Sequence, residues 1–189
     1  MNVNSILGKD WISKNYNEET VNFLKENFNL SEILSRLIAI RNIKVEEVKL
    51  FLNPRIKNLL PNPFILKDME KTVDRTVEAI VKKEKIGIFG DYDVDGATST
   101  AILGNYFTEI NQEIEIYIPD RKTEGYGPSK AAFQQLISKG VKLIFTVDCG
   151  TMSFDTIDFS QKKNTDVLVL DHHQSELKLP NAFSIVNPN

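Results

Sequence analysis

Apolar positions before residue 60 recur at helical spacing. Val21, Leu24 and Phe28 fall on one face of residues 18–28, and Ser31 is placed to cap a second helix carrying Ile33, Leu34, Leu37 and Ile38. Val45, Val48 and Leu52 give a third, shorter stripe. No stretch in this part reads as a convincing strand, and Trp11 is expected to anchor the helices. Asn53-Pro54 and Pro61-Asn62-Pro63 then make a stiff, turn-rich connector. From Asp68, placed to cap a helix with Met69, Val73, Val77, Ile80 and Val81 on its apolar stripe, the rhythm changes. Short apolar runs at 86–89, 114–118, 142–147 and 167–170 read as strands, and they alternate with helical patterns at 97–107, 128–138 and 153–163. Continuous apolar strands separated by helices predict an α/β fold: a parallel sheet with helices on both faces, preceded by a small helical lobe. The expected division is residues 1–67 for lobe and connector and residues 68–189 for the sheet domain. Residues 183–186 read as the start of one more strand close to Asn189, which predicts a domain incomplete at its carboxyl end.

Composition narrows the class. With 41% apolar and 26% charged residues and a net charge of −3, the chain has the make-up of an ordinary globular protein and not of a polycation. An acidic balance still leaves room for a local basic groove and a nucleic-acid partner. The single Cys149 excludes an internal disulfide and fits a reducing compartment. No apolar run is long enough to span a bilayer, and the amino terminus lacks a signal-peptide pattern, so a cytoplasmic location without membrane contact is expected.

The chemistry gathers behind the strands. Asp91, Asp93 and Asp95 follow the 86–89 run, Asp148 follows 142–147, and Asp171-His172-His173 follows 167–170. Ligands in open parallel sheets bind at the carboxyl ends of the strands, so these groups are expected to converge. A single aspartate there is often a helix N-cap. Three acidic strand ends, one carrying two imidazoles, are poorly explained by capping. Clustered carboxylates repel one another unless a cation neutralises them, and an oxygen-rich set suits Mn2+ or Mg2+. Asp93, Asp95, Asp148 and His172 are the candidate ligands, and Gly96 and Gly150 allow the tight turns beside them. A pair of such ions would polarise a phosphate and acidify a bound water. The segment from Arg121 through Gly125, Tyr126 and Gly127 to Ser129 combines a phosphate-seeking cation with a glycine–tyrosine hinge before a helix start. Cys149 reads as a buried strand-end residue and not a nucleophile. A P-loop is absent, which excludes that class of nucleotidase.

Residues 86–100, with Asp91-Tyr92-Asp93-Val94-Asp95-Gly96 at their centre, resemble the first motif of the DHH phosphoesterase superfamily in its RecJ form. Arg121 with Glu124-Gly125-Tyr126-Gly127, then Val147-Asp148-Cys149-Gly150, then Asp171-His172-His173 resemble the following motifs in order, and the stretch from Arg36 to Met69 resembles the lead-in of bacterial RecJ proteins. Phe89 stands where related members carry a histidine, which argues against the pyrophosphatase branch. The resemblance implies a two-metal, Mn2+- or Mg2+-dependent exonuclease acting 5′ to 3′ on single-stranded DNA in repair and recombination. Single-strand-binding protein and recombination helicases are the implied protein partners. Carried over by position, it implies Asp93, Asp95, Asp148 and His172 as metal ligands, His173 as a group that contacts the scissile phosphate, and Asp91 as a catalytic or supporting carboxylate. It also implies that this length lacks a fourth-motif aspartate and two downstream DNA-gripping domains, and so is weak or inactive alone. Three alternatives remain open from the residues themselves. One is a DHH-type phosphodiesterase of short oligonucleotides or cyclic dinucleotides, and another is a catalytically dead remnant. The third is a haloacid dehalogenase-type phosphatase with Asp93 as nucleophile, which leaves Asp171-His172-His173 without a role.

Overall fold

The computed structural model describes residues 3–4 and 8–189. It divides into two compact units, Met1–Pro61 and Asn62–Asn189. In the first, α1 (Glu18–Phe28) starts where the Asn17 side chain accepts hydrogen bonds from the amides of Glu19 and Thr20. Ser31 caps α2 (Glu32–Ile40) through the amide of Leu34. Leu24, Ile38 and Val48, the last opening α3 (Val48–Leu52), form its core, and a fourth short helix α4 spans Ile56–Leu59. Two features depart from the helical reading. A short antiparallel ladder joins β1 (Val3–Asn4) to β2 (Asp10–Trp11). Trp11 is 68% exposed and so is not the expected anchor.

The second unit runs α5 (Met69–Val81), β3 (Ile86–Phe89), α6 (Val94–Glu109), β4 (Ile114–Tyr117), α7 (Lys130–Ser138), β5 (Leu143–Val147), α8 (Phe154–Gln161), β6 (Asp166–Leu170) and β7 (Ser184–Val186). The strands form one sheet in the order β4-β3-β5-β6-β7, and every pairing is parallel. Alternation along the strands sorts side chains between two cores. Phe89, Ile144, Val167 and Val169 pack against Phe133 and Leu136 of α7 and Ile157 of α8. Ile86, Ile88, Phe145 and Leu168 pack on the other face, with Ala79 of α5 and Phe107 of α6. The chain leaves β3 toward β4 and later returns to the opposite side of β3 as β5. That reversal opens a crevice at the carboxyl ends of β3 and β5, the usual seat of a ligand in such sheets.

Helix α5 corrects two readings. Asp68 does not cap it: its backbone is left-handed (φ 60°), and its carboxylate accepts the amide of Ile185 in β7 instead. The helix also buries Thr72, Arg75 and Ala79, leaving Val73, Val77 and Val81 outward. A polar inner face is tolerated because Arg75 is ion-paired to Asp166 and Glu84, both at 2.7 Å, and Thr72 is hydrogen-bonded to Ser184 at 2.6 Å.

Helix α6 begins at Val94, earlier than the expected residue 97, because Asp93 serves as its N-cap and accepts the amide of Gly96 at 3.0 Å. The turn from β3 is so tight that a Cβ on Gly96 would stand 2.5 Å from the carbonyl oxygen of Asp91. Gly96→Ala is therefore expected to destabilise the protein by about 1–3 kcal/mol through forced backbone displacement. Urea denaturation of the two proteins measures this, and an unchanged midpoint would contradict the packing described for this turn.

Candidate metal centre

Strand register assembles the site. Phe89 pairs with Thr146, Val147 with Leu170, and Leu170 with Val186. Continued past these last pairs, the registers set Asp91 beside Asp148, Asp148 beside Asp171, and Asp171 beside Asn187. The backbone follows this continuation, since the amide of Asp148 donates to the Leu170 carbonyl at 2.9 Å and that of Asp171 to Val186 at 3.1 Å.

Two groups of candidate ligands result, and Asp148 belongs to both. Oxygens of Asp91, Asp93 and Asp148 lie within 4.8 Å of one another, as do ligand atoms of Asp148, His172 and His173. Asp91 is 2% exposed and Asp148 7%. Asp148 has a left-handed backbone (φ 61°), a sparsely occupied conformation for a residue with a side chain, although aspartate adopts it more readily than most. Its Oδ1 lies 2.9 Å from His172 Nε2. Burial, then the adjacent Asp93 carboxylate, pushes the Asp148 carboxyl above its ordinary range. The Gly96 amide holds Asp93 below its own.

Asp95 is not in either group. One residue inside α6, it lines a cleft of about 540 Å3 that also touches Asp148, Asp171 and His172. Asp91, expected as catalytic or supporting, lies inside the carboxylate group. Aspartates at alternate positions share a face only on an extended chain, and the helix begins before Asp95 is reached.

Asp171 plays a different part. Its Oδ2 accepts from the Thr151 hydroxyl at 2.7 Å and the Thr151 amide at 3.0 Å. Its Oδ1 accepts from His173 Nδ1 and the His172 amide, both at 2.7 Å, and from the His173 amide at 3.1 Å. Burial alone would raise its pKa, but these donors outweigh burial and bring it down to about 2. The same hydrogen bond raises His173 above the ordinary imidazole value. Asp171 therefore orients His173 through Nδ1 and leaves Nε2 free. Neither Thr151 nor Asn187 was singled out from the sequence. Asn187 could have been found by extending the strand-end rule to β7.

The substrate-side candidates surround this edge. The guanidinium of Arg121 lies 5.1 Å from the centre of the Tyr92 ring. Gly125 and Gly127 take φ values of 81° and 78°, open to glycine at little cost. Tyr126 meets His173 edge-on at 6.1 Å, and burial with the nearby thiol and carboxylates pushes its phenol up. Glu124 ties this loop down, accepting from the Tyr117 hydroxyl at 2.5 Å and the Asp120 amide at 2.8 Å. Cys149 is fully buried and burial pushes its thiol up, so it is not poised as a nucleophile.

The donor set fits a divalent cation. Three carboxylates converge, two of them buried, while the ion pairs of lysine and arginine among the described residues run to acidic groups elsewhere. Oxygen ligands with one or two imidazoles suit Mn2+ or Mg2+.

Asp171 also makes a testable contribution to stability. A carboxylate held below its unfolded value stabilises the fold above that value, and the gain is lost as pH falls through the folded value. Metal-free protein should lose on the order of 2 kcal/mol between about pH 4 and pH 2 from this residue. Denaturant titrations across that range should show an acid limb that is flattened in Asp171→Asn, which starts from lower stability at neutral pH. Identical limbs would contradict the assignment.

Residues 85–189 match the model of the DHH family, N-terminal domain. The single-stranded-DNA-specific exonuclease RecJ of Bacillus subtilis is 34% identical over 94% of this chain and 23% of its own length, and that of Haemophilus influenzae is 40% identical over 83% and 27%. The chain thus spans about a quarter of these relatives. A crystal structure of exonuclease RecJ bound to manganese superposes with a TM-score of 0.61 at 30% identity, covering 65% of this chain and 31% of that one. Thermus thermophilus RecJ in complex with Mn2+ shares the fold, with a TM-score of 0.67 at 21% identity over 90% of this chain and 23% of that one. With more than half of its residues matching that model, this chain belongs to the DHH family.

Proposed function

We propose that this chain carries the metal-binding part of a RecJ-type exonuclease that hydrolyses the phosphodiester bonds of single-stranded DNA. The observation that supports this most directly is the pair of ligand groups sharing Asp148, at the sheet edge where relatives named as single-stranded-DNA-specific exonucleases match in sequence. Asp91, Asp93, Asp148 and His172 would hold Mn2+ or Mg2+, with Asp95 at the rim of the adjoining cleft. Bound there, such ions would neutralise phosphate charge and acidify water.

The protein's own groups have separable tasks. Asp148, destabilised as a carboxylate by burial and by Asp93, would be relieved by a cation bound beside it. Asp171 fixes the His173 ring so that its free Nε2 can meet a phosphate oxygen. Arg121 supplies a cation for a flanking phosphate, while Gly125 and Gly127 let the backbone approach the strand and Tyr126 offers a ring for a base. The same reading places the work in the cytoplasm during repair and recombination, where single-strand-binding protein and helicases would supply substrate. No described helix is long and apolar enough to cross a membrane.

Two measurements test this. Mn2+ should raise the thermal midpoint of the wild type. Asp148→Asn should abolish that shift while raising the metal-free midpoint by roughly 2–4 °C, since it removes a buried charge facing another carboxylate. A metal-free midpoint lowered by the substitution would contradict the electrostatics. In the second measurement, end-labelled single-stranded DNA should be shortened with Mn2+ and not with chelator, and far more slowly than by full-length Bacillus subtilis RecJ at equal salt. Faster cleavage of dinucleotides than of long strands would favour the short-oligonucleotide reading, and loss of neither substrate would overturn both.

A further inference from the structure

The hydrogen bonds around Asp171 continue outward through two side chains that belong to neither candidate metal group. Asn187, directly after β7, donates from Nδ2 to the Thr151 hydroxyl at 3.1 Å and to the His173 carbonyl at 3.0 Å. Its Oδ1 accepts the Asn189 amide at 2.9 Å, which fixes which way the amide points. Thr151 is 1% exposed. Its hydroxyl has one proton, and Asp171, an ionised acceptor at 2.7 Å, takes it. A lone pair on that oxygen accepts the hydrogen bond from Asn187 Nδ2. The polarity therefore runs one way, from Asn187 to Thr151 to Asp171, and Asp171 Oδ1 receives the His173 ring. The bond from Asn187 to the His173 carbonyl closes the circuit, so the histidine is gripped by its ring and by its backbone.

We infer that Thr151 and Asn187 are positioning residues that hold the Asp171–His173 pair in its working orientation. This rests on the reading of His173 as the group facing the phosphate. Such outer partners matter because a ring misplaced by even a small angle no longer meets its target, and their loss commonly costs ten- to a hundredfold in affinity or activity. Asn187 reaches the pair from β7 and Thr151 from the turn after β5, so one circuit links three strand ends.

The test uses the full chain without metal, so it is independent of whether hydrolysis is detected. Nuclear Overhauser contacts between the Tyr126 and His173 rings, centred 6.1 Å apart, report ring orientation, and hydrogen exchange reports the amides of His172 and His173 that donate to Asp171. In Thr151→Val and in Asn187→Ala the ring contacts should weaken, and exchange at those two amides should quicken about fivefold or more for each hydrogen bond lost. Amides of Ile144 and Leu168 should stay at wild-type rates, and Thr151→Ser should restore both signals. Wild-type contacts and exchange in Asn187→Ala would overturn the inference, as would a uniform acceleration reaching the core strands. Where hydrolysis is measurable, Thr151→Val should lower kcat about ten- to a hundredfold with KM within twofold. A wild type that neither binds Mn2+ nor cleaves DNA counts against the proposed function, while the exchange data still decide this inference.

Discussion

Asp148 is a carboxylate held where a carboxylate is costly. It is buried at the end of β5, its backbone is left-handed, Asp93 approaches its oxygens, and the partner at Oδ1 is the imidazole of His172. Removing a carboxylate from water and setting it against another raises the energy of the charged form, and a protein retains such an arrangement where a cation offsets it. The position follows from the switch between β3 and β5, which places the ends of these two strands side by side. The two cores that fix the switch lie on opposite faces of the sheet, one led by Phe89, Phe133 and Ile157 and the other by Ile88, Phe107 and Phe145.

Along one edge, three aspartates differ in the hydrogen bonds that they receive. Asp93 spends one oxygen on the Gly96 amide as a helix cap and is held acidic by it. Asp148 has fewer donors and is pushed up. Asp171 receives five donors and is brought down to about 2. Hydrogen-bond supply, more than depth of burial, separates the last two, because both are 7% exposed. An under-supplied carboxylate is available to a cation, and a saturated one serves better to hold an imidazole. The capping explanation weighed against a metal site is realised at Asp93, and it does not account for the other two.

The alternation of apolar strands with helices was legible because buried parallel strands leave runs rich in Val, Ile and Leu, as in 143–147 and 167–170. The convergence of Asp93, Asp148 and His172 was legible for a related reason, since in such a sheet every strand delivers its following residue to the same edge. Residue-level outcomes were less so. Val73, Val77 and Val81 carry a helical stripe, yet α5 turns its Thr72–Arg75–Ala79 side inward, because Asp166, Glu84 and Ser184 are waiting there. Trp11 looks like an anchor by size alone and is mostly exposed.

The sequence by itself determined the class of fold, the edge at which chemistry collects and the residue types that collect there, because these depend on periodicity and on the fixed direction of parallel strands. Tertiary structure decided which of the aspartates face one another. Asp95 was set apart when α6 began at Val94, a boundary made by the Asp93 cap and by the close approach of Gly96 to the Asp91 backbone. It also decided that Thr151 and Asn187, distant in the chain and unremarkable in composition, support His173. That arrangement exists only when β5, β6 and β7 lie in register, and register is a property of packed strands.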